Sequence, residues 1–137
     1  MANPGLRINY TLPVERTTGL SSAAKNLLSN AKTNGVTISN VNIMAMDYGA
    51  CYSDMGQAAI DSAKVTWSQL GSLGISAKVG VTPMIGVNDV VCQNFTTTNA
   101  SQLVTWAQAN SYIGLLAYWE QTADPNHSYI NVFKTFH

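Results

Sequence analysis

The sequence has little charge and no concentration of either sign. Only 10% of its 137 residues are charged, and seven basic residues balance seven acidic ones. No run of Lys or Arg occurs, so the chain lacks the basic patch with which proteins bind nucleic acid or an anionic membrane. We therefore expect neither partner, and a neutral polymer or small molecule fits this composition better.

Long apolar runs, a leader pattern and clustered metal ligands are missing as well. No apolar stretch approaches the length of a membrane span, and residues 1–5 show no basic and hydrophobic signal pattern. His127 and His137 have no ligand-like spacing, and no phosphate-binding loop or redox CxxC motif is present. We expect no membrane segment and no cofactor.

Cysteine is scarce, and both copies follow predicted strands. The carboxyl ends of parallel strands meet at one edge of a sheet, so a disulfide between Cys51 and Cys92 is sterically reasonable, whereas two free thiols fit the sequence equally well. A bridge would favour an oxidising compartment. Glycosylation sequons point the same way, at Asn9, Asn94, Asn99 and Asn126. Together these features favour a secreted protein.

What the sequence does contain is an alternation of strand-like and helix-like segments. The strand-like segments cover residues 6–12, 41–46, 79–87 and 113–119, and Pro83 makes the third one irregular. Each is followed by a helix-like segment with one apolar face. The pattern predicts an α/β fold with a parallel sheet and all strand-to-helix loops at one edge.

The apolar faces of the helices can be assigned from their spacing. The first helix ends at Asn34–Gly35, the second begins at Ser53 or Asp54, and the third begins near Thr98. The predicted inner faces are Leu20, Ala23, Ala24, Leu27, Leu28 and Ala31, then Ala59, Ala63, Trp67 and Leu70, then Leu103, Val104 and Ala107, and finally Tyr129, Val132, Phe133 and Phe136.

The four strand segments resemble strands five to eight of the family 18 glycoside hydrolase (chitinase) barrel. They read RINYTLPV (residues 7–14), NVNIMAMDYG (40–49), TPMIGVND (82–89) and IGLLAYWEQTAD (113–124). The resemblance implies half of a (β/α)8 TIM barrel, a single half-barrel domain over residues 1–137, and an N-acetylglucosamine polymer such as chitin as the ligand. Strands one to four are absent.

The family's general acid is absent too. It is a glutamate that closes a DxxDxDxE motif at the end of strand four, and no two acidic residues here have the DxE spacing. Glu120 follows the last strand, where a surface carboxylate is the ordinary interpretation. We therefore assign no catalytic residue, and whether the chain takes part in an enzyme stays open.

The resemblance also assigns the family's substrate-binding residues to positions in this sequence. Trp119 matches the tryptophan that forms the floor of the sugar subsite; Met44 and Asp47 match the family's M-x-Y-D pattern. Met46 stands where many members have the tyrosine that binds the acetamido oxygen, so Tyr48 is a candidate to replace it. Core packing is the alternative for Trp119, Met44 and Met46.

Asn88 is a weaker candidate for substrate binding, because asparagine is common where a strand turns into a loop.

A half-barrel leaves unpaired strand edges at its first and last strands. Two copies could close an eight-stranded barrel as a homodimer, or a complementary half could do so. In function, the chain would be one half of a hydrolase site or a non-catalytic oligosaccharide-binding or scaffold half-barrel.

Overall fold

The computed structural model describes residue 3 and residues 5–137. Met1, Ala2 and Pro4, which belong to the segment screened for a leader, lie outside the described residues. The strands are β1 (Ile8–Pro13), β2 (Ile38–Ala45), β3 (Lys78–Pro83), β4 (Gly86–Val87), β5 (Asn94–Phe95) and β6 (Ile113–Leu116). The helices are α1 (Ser22–Thr33), α2 (Met55–Ser72), α3 (Thr97–Gln108) and α4 (Ser128–Phe133), with a 3₁₀ turn at Gln121–Ala123.

The main sheet has the order β1-β2-β3-β6, and every neighbouring pair is parallel. Because parallel strands added in one direction are joined by right-handed crossovers, all the connecting helices lie on one face of the sheet. The α/β class and the parallel sheet are thus confirmed, and the sheet is consistent with half a barrel. Within the described residues β1 and β6 each pair on one side only, so the sheet is open.

The helix boundaries follow local sequence signals. α1 stops where expected, because Asn34 is its C-cap and Gly35 adopts φ +77. For α2 the structure selects Asp54 over Ser53 as N-cap, since its carboxylate accepts from Gln57 N at 2.9 Å. α3 begins one residue before the expected Thr98, with Thr96 as its N-cap.

Two predicted inner faces are partly wrong. Ala23 is exposed and Leu27 is 45% exposed, although Ala24, Leu28 and Ala31 on the same helix are buried. Trp67 is 41% exposed and stacks on Tyr112, with ring centroids 4.8 Å apart, instead of entering the core. Helical spacing identifies an apolar stripe, but neighbouring elements decide how much of that stripe is covered.

The third strand is shorter than predicted. β3 ends at Pro83, whose ring leaves no N–H for a ladder. The chain then turns at Gly86, which adopts φ +73, and β4 pairs antiparallel with β5. The predicted strand over residues 79–87 is therefore a strand followed by a hairpin, which we call the 86–95 hairpin.

The two faces of the main sheet differ in character. The helix-covered face is fully buried at Val41, Ile43 and Val79. On the other face, which we call the open face, Asn42 donates to Thr11 Oγ1 at 3.4 Å and accepts from Thr82 Oγ1 at 3.0 Å. No helix among the described residues has the length and apolar character needed to cross a bilayer.

Candidate functional site

The carboxyl ends of β2, β3 and β6 bring the predicted polar and aromatic residues to one edge of the sheet. Asp47 follows β2, and Trp119 follows β6 and is bridged to Met84 just beyond β3. Trp119 N donates to Pro83 O at 2.9 Å, and Trp119 O accepts from Ile85 N at 2.8 Å. These backbone bonds fix the residue on both sides while its side chain stays 56% exposed. The backbone of Trp119 is therefore fixed by hydrogen bonds, while its indole presents an exposed aromatic surface.

Asp47 has an unusual backbone conformation and a partly free carboxylate. Its φ is +48, in the left-handed region that aspartate tolerates better than most residues. Asp47 N donates to Asn88 Oδ1 at 3.4 Å, and Asp47 Oδ1 accepts from Val90 N at 3.0 Å. Among the described residues, Oδ2 receives no hydrogen bond. One carboxylate oxygen thus anchors the residue, and the other is available to a ligand hydroxyl.

Met44 and Met46 are half-buried. Strand alternation puts Met44 on the open face with Asn42, two residues before it, and continues that face to Met46 just beyond β2. Met44 is in register with Thr82 on β3. Their partial burial leaves open the two interpretations given from the sequence, contact with a ligand and core packing.

Tyr48 lies on the other side of the sheet, in the helix layer. It is 1% exposed, and its hydroxyl shares a 2.8 Å hydrogen bond with Ser62 of α2. Its ring meets Tyr52 edge-on, with centroids 5.7 Å apart. Burial raises the pKa of the Tyr48 hydroxyl, while the bond to Ser62 acts to lower it. In this position the hydroxyl does not reach the open face, so the geometry gives no support to Tyr48 as a substitute for the acetamido-binding tyrosine.

Asn88 shapes the turn of the 86–95 hairpin. It is 3% exposed, and its Nδ2 donates to Met84 O at 2.9 Å and Gly86 O at 3.2 Å. Its Oδ1 accepts from Asp47 N. The side chain therefore stabilises the turn, which was the alternative interpretation from the sequence. It also contacts the candidate site through its hydrogen bond with Asp47.

A disulfide and a buried glutamine lie near the same edge of the sheet. Cys51 and Cys92 are bonded, with Cα atoms 5.6 Å apart, which settles the alternative that the sequence left open. Gln93, next to Cys92, is fully buried, and its side-chain amide bonds to the backbone of residues 48 and 50. Sequence reasoning missed Gln93, because a single polar residue between a cysteine and a short strand carries no periodic signal.

The structure also places Glu120, the acidic residue beside Trp119. Glu120 is exposed and accepts a hydrogen bond from the Thr122 hydroxyl. Among residue 3 and residues 5–137, no group of three or more His, Cys, Asp or Glu side chains is arranged to hold a metal ion.

A groove of about 570 Å³ lies between the carboxyl end of β6 and α4. Its apolar wall consists of Leu116, Tyr118, Ile130 and Phe133. Neither Asp47 nor Trp119 lines the groove, but Tyr118, the residue before Trp119, does. The groove therefore lies next to the strand end that carries Trp119.

Comparison with known proteins relates the chain to chitinases. It is 36% identical over 135 residues to "Endochitinase 11" of Metarhizium anisopliae, and the match covers 87% of this chain and 26% of that protein. It is also 36% identical over 135 residues to "Probable bifunctional chitinase/lysozyme" of Escherichia coli K12, covering 87% of this chain and 15% of that protein. The chain thus spans about a quarter or less of the length of either relative. No protein-family model and no solved structure matches it.

Proposed function

We propose that the chain forms the substrate-binding half of a chitinase-type site, as a single half-barrel domain corresponding to strands five to eight of a family 18 barrel. The ligand is an oligosaccharide of N-acetylglucosamine, and the expected location is extracellular. Trp119 provides the aromatic surface for a sugar ring, Asp47 Oδ2 accepts from a sugar hydroxyl, and Met44 and Met46 line the cavity. Tyr48 and Asn88 act from behind this surface, by packing and by turn formation.

The observation that carries the proposal is the exposed, backbone-anchored indole of Trp119 at the same sheet edge as Asp47. An indole presents a flat apolar face to the C–H face of a pyranose and an N–H at its edge. Because the Trp119 residue is 56% exposed, this apolar surface is free for such a contact. The likeness to two chitinases over most of this chain agrees with that ligand class.

Isothermal titration calorimetry with chitotetraose tests the binding surface. Trp119→Ala is expected to raise Kd about tenfold or more, as for truncation of a central aromatic contact. Trp67→Ala is the matched control, because Trp67 is exposed to a similar degree but lies on α2, outside the strand ends. An unchanged Kd in Trp119→Ala, with Trp67→Ala also unchanged, would reject the proposed surface.

Catalysis requires a group that this chain does not supply. A missing general acid costs about a hundredfold or more in rate. The pure chain is therefore expected to leave a fluorogenic chitobioside uncleaved. Turnover that persists in Glu120→Gln would show that another acid is present and would contradict the assignment of a binding half alone.

The second candidate function is a non-catalytic binding or scaffold half-barrel that self-associates. It is favoured by exposed apolar side chains on two helices: Leu27 on α1 is 45% exposed, and Ile130 on α4, which lines the groove beside β6, is 38% exposed. In a two-fold homodimer, β1 of each copy would pair with β6 of the other and close eight strands; a complementary half-barrel would cover the same edges. Size-exclusion chromatography with light scattering decides: a dimer supports self-association, and a stable monomer at micromolar concentration contradicts it.

A further inference from the structure

We infer that Gln93 is a positioning residue for Asp47, holding the aspartate in the conformation that presents Oδ2 to the ligand. The inference rests on the proposed sugar-binding role of Asp47. Gln93 lies 46 positions further along the chain, in the 86–95 hairpin, and reaches Asp47 from two directions. One is through its side chain, and the other is through its own backbone.

The side chain of Gln93 holds the residues that follow Asp47. Its Nε2 donates to Tyr48 O and Ala50 O, both at 2.8 Å, and its Oε1 accepts from Tyr48 N at 3.2 Å. Both amide hydrogens and the carbonyl oxygen are thus engaged. Gln93 is fully buried, and its two bonds to Tyr48 are shielded from water. The segment of residues 48–50 is therefore tied to one side chain.

The backbone of Gln93 holds the groups that touch Asp47 itself. Gln93 N donates to Val90 O at 2.8 Å, and Gln93 O accepts from Asn88 N at 2.9 Å. Val90 N in turn donates to the Asp47 carboxylate, and Asn88 Oδ1 accepts from Asp47 N. One residue thus fixes both the chain after Asp47 and the two groups that bond to it.

The chemistry of this position requires an amide. Only a primary amide offers two N–H donors and a carbonyl acceptor in one small planar group. Glutamate at the same position would lack both donors and would place a charge in a buried site, and methionine would leave Tyr48 N, Tyr48 O and Ala50 O without partners. A non-glycine residue at positive φ keeps that conformation only when its surroundings enforce it, so loss of the amide should free Asp47 to leave it.

A double-mutant cycle separates positioning from general structural damage. Chitotetraose affinity is measured by calorimetry for the wild type, Gln93→Met, Asp47→Ala and the double variant. If Gln93 acts through Asp47, Gln93→Met raises Kd about tenfold in the wild type and has no further effect in Asp47→Ala. Additive losses would overturn the inference. Gln108→Met is the matched control, because its Nε2 also bonds a backbone carbonyl, Thr135 O, but in the outer layer.

An NMR hydrogen-exchange measurement tests the same inference without a sugar. In the wild type, the Val90 amide should be protected from exchange, because Val90 N donates to the Asp47 carboxylate. In Gln93→Met, this protection should be lost while amides of α1 and β1 stay protected. Val90 protection that persists in Gln93→Met would refute the positioning role.

The two measurements distinguish a failure of the proposed function from a failure of the inference about Gln93. If the wild type binds no chitotetraose, the proposed function fails, and the hydrogen exchange of the Val90 amide alone decides whether Gln93 positions Asp47. If the wild type binds and the cycle is additive, the binding surface stands and Gln93 is not its positioning residue.

Discussion

Removal of the Cys51–Cys92 disulfide should cost this chain a large part of its stability. The bond closes a loop with a sequence separation of 41 residues. In the chain-entropy treatment, a loop of that length lowers the free energy of folding by about 4 kcal/mol at 25 °C, because the unfolded chain is restricted. With an unfolding entropy of about 0.3 kcal/mol per kelvin for a chain of this size, Tm should fall by about 13 °C.

Thermal unfolding followed by circular dichroism measures this change in Cys51→Ser/Cys92→Ser. Both cysteines are exposed, so a dithiol reductant added to the wild type should reproduce the shift. The same reductant added to the serine variant is the control and should change nothing. A fall in Tm of less than about 3 °C would refute the reasoning, because it would mean that the bond hardly restricts the unfolded chain, which must then be compact around this loop without it.

Two further predictions concern the core and acid stability. Leu28→Ala, at a fully buried position, should cost about 2–5 kcal/mol, whereas Leu27→Ala on the same helix should cost under about 1 kcal/mol; equal losses in urea unfolding would show that Leu27 is covered in solution. Although removal from water acts to raise it, hydrogen bonds from Ile130 N and Tyr129 N hold the pKa of Asp124 below its usual range. Its ionised form therefore stabilises the fold above the pKa of the unfolded state, and that stability is lost as pH falls below about 4. Asp124→Asn should flatten this acid limb in urea unfolding, and an unaltered limb would contradict the assignment.

Much of the architecture could be predicted because it depends on local signals. The end of α1 follows from Asn34–Gly35, and the buried face of α3 follows from the spacing of Leu103, Val104 and Ala107. These features need only the conformational preference of glycine and the helical period. The helical period predicts the stripe on α3, and packing against α2 and α4 covers it.

The errors arise where the outcome depends on distant partners. The segment after Pro83 is apolar enough for a strand, but Gly86 at positive φ sends it into a hairpin with Asn94–Phe95. Tyr48 comes directly after a strand, in a position where a surface residue is expected. Its hydroxyl is nevertheless buried in the core, where it forms a hydrogen bond with Ser62 on α2. The candidate site shows the same division: the strand ends that carry Asp47 and Trp119 were predictable, whereas the contacts from Gln93 were not.

The bonds from Gln93 to Tyr48 and Ala50 have a consequence for synthesis of the chain. Contacts between residues so far apart in sequence cannot form until the later residue has left the ribosome. A nascent chain that already contains β1, β2 and α2 would hold the Asp47 turn without its partner residues. The Asp47 turn therefore gains its partners only when the 86–95 hairpin has emerged, and the candidate site is complete only after Trp119 follows.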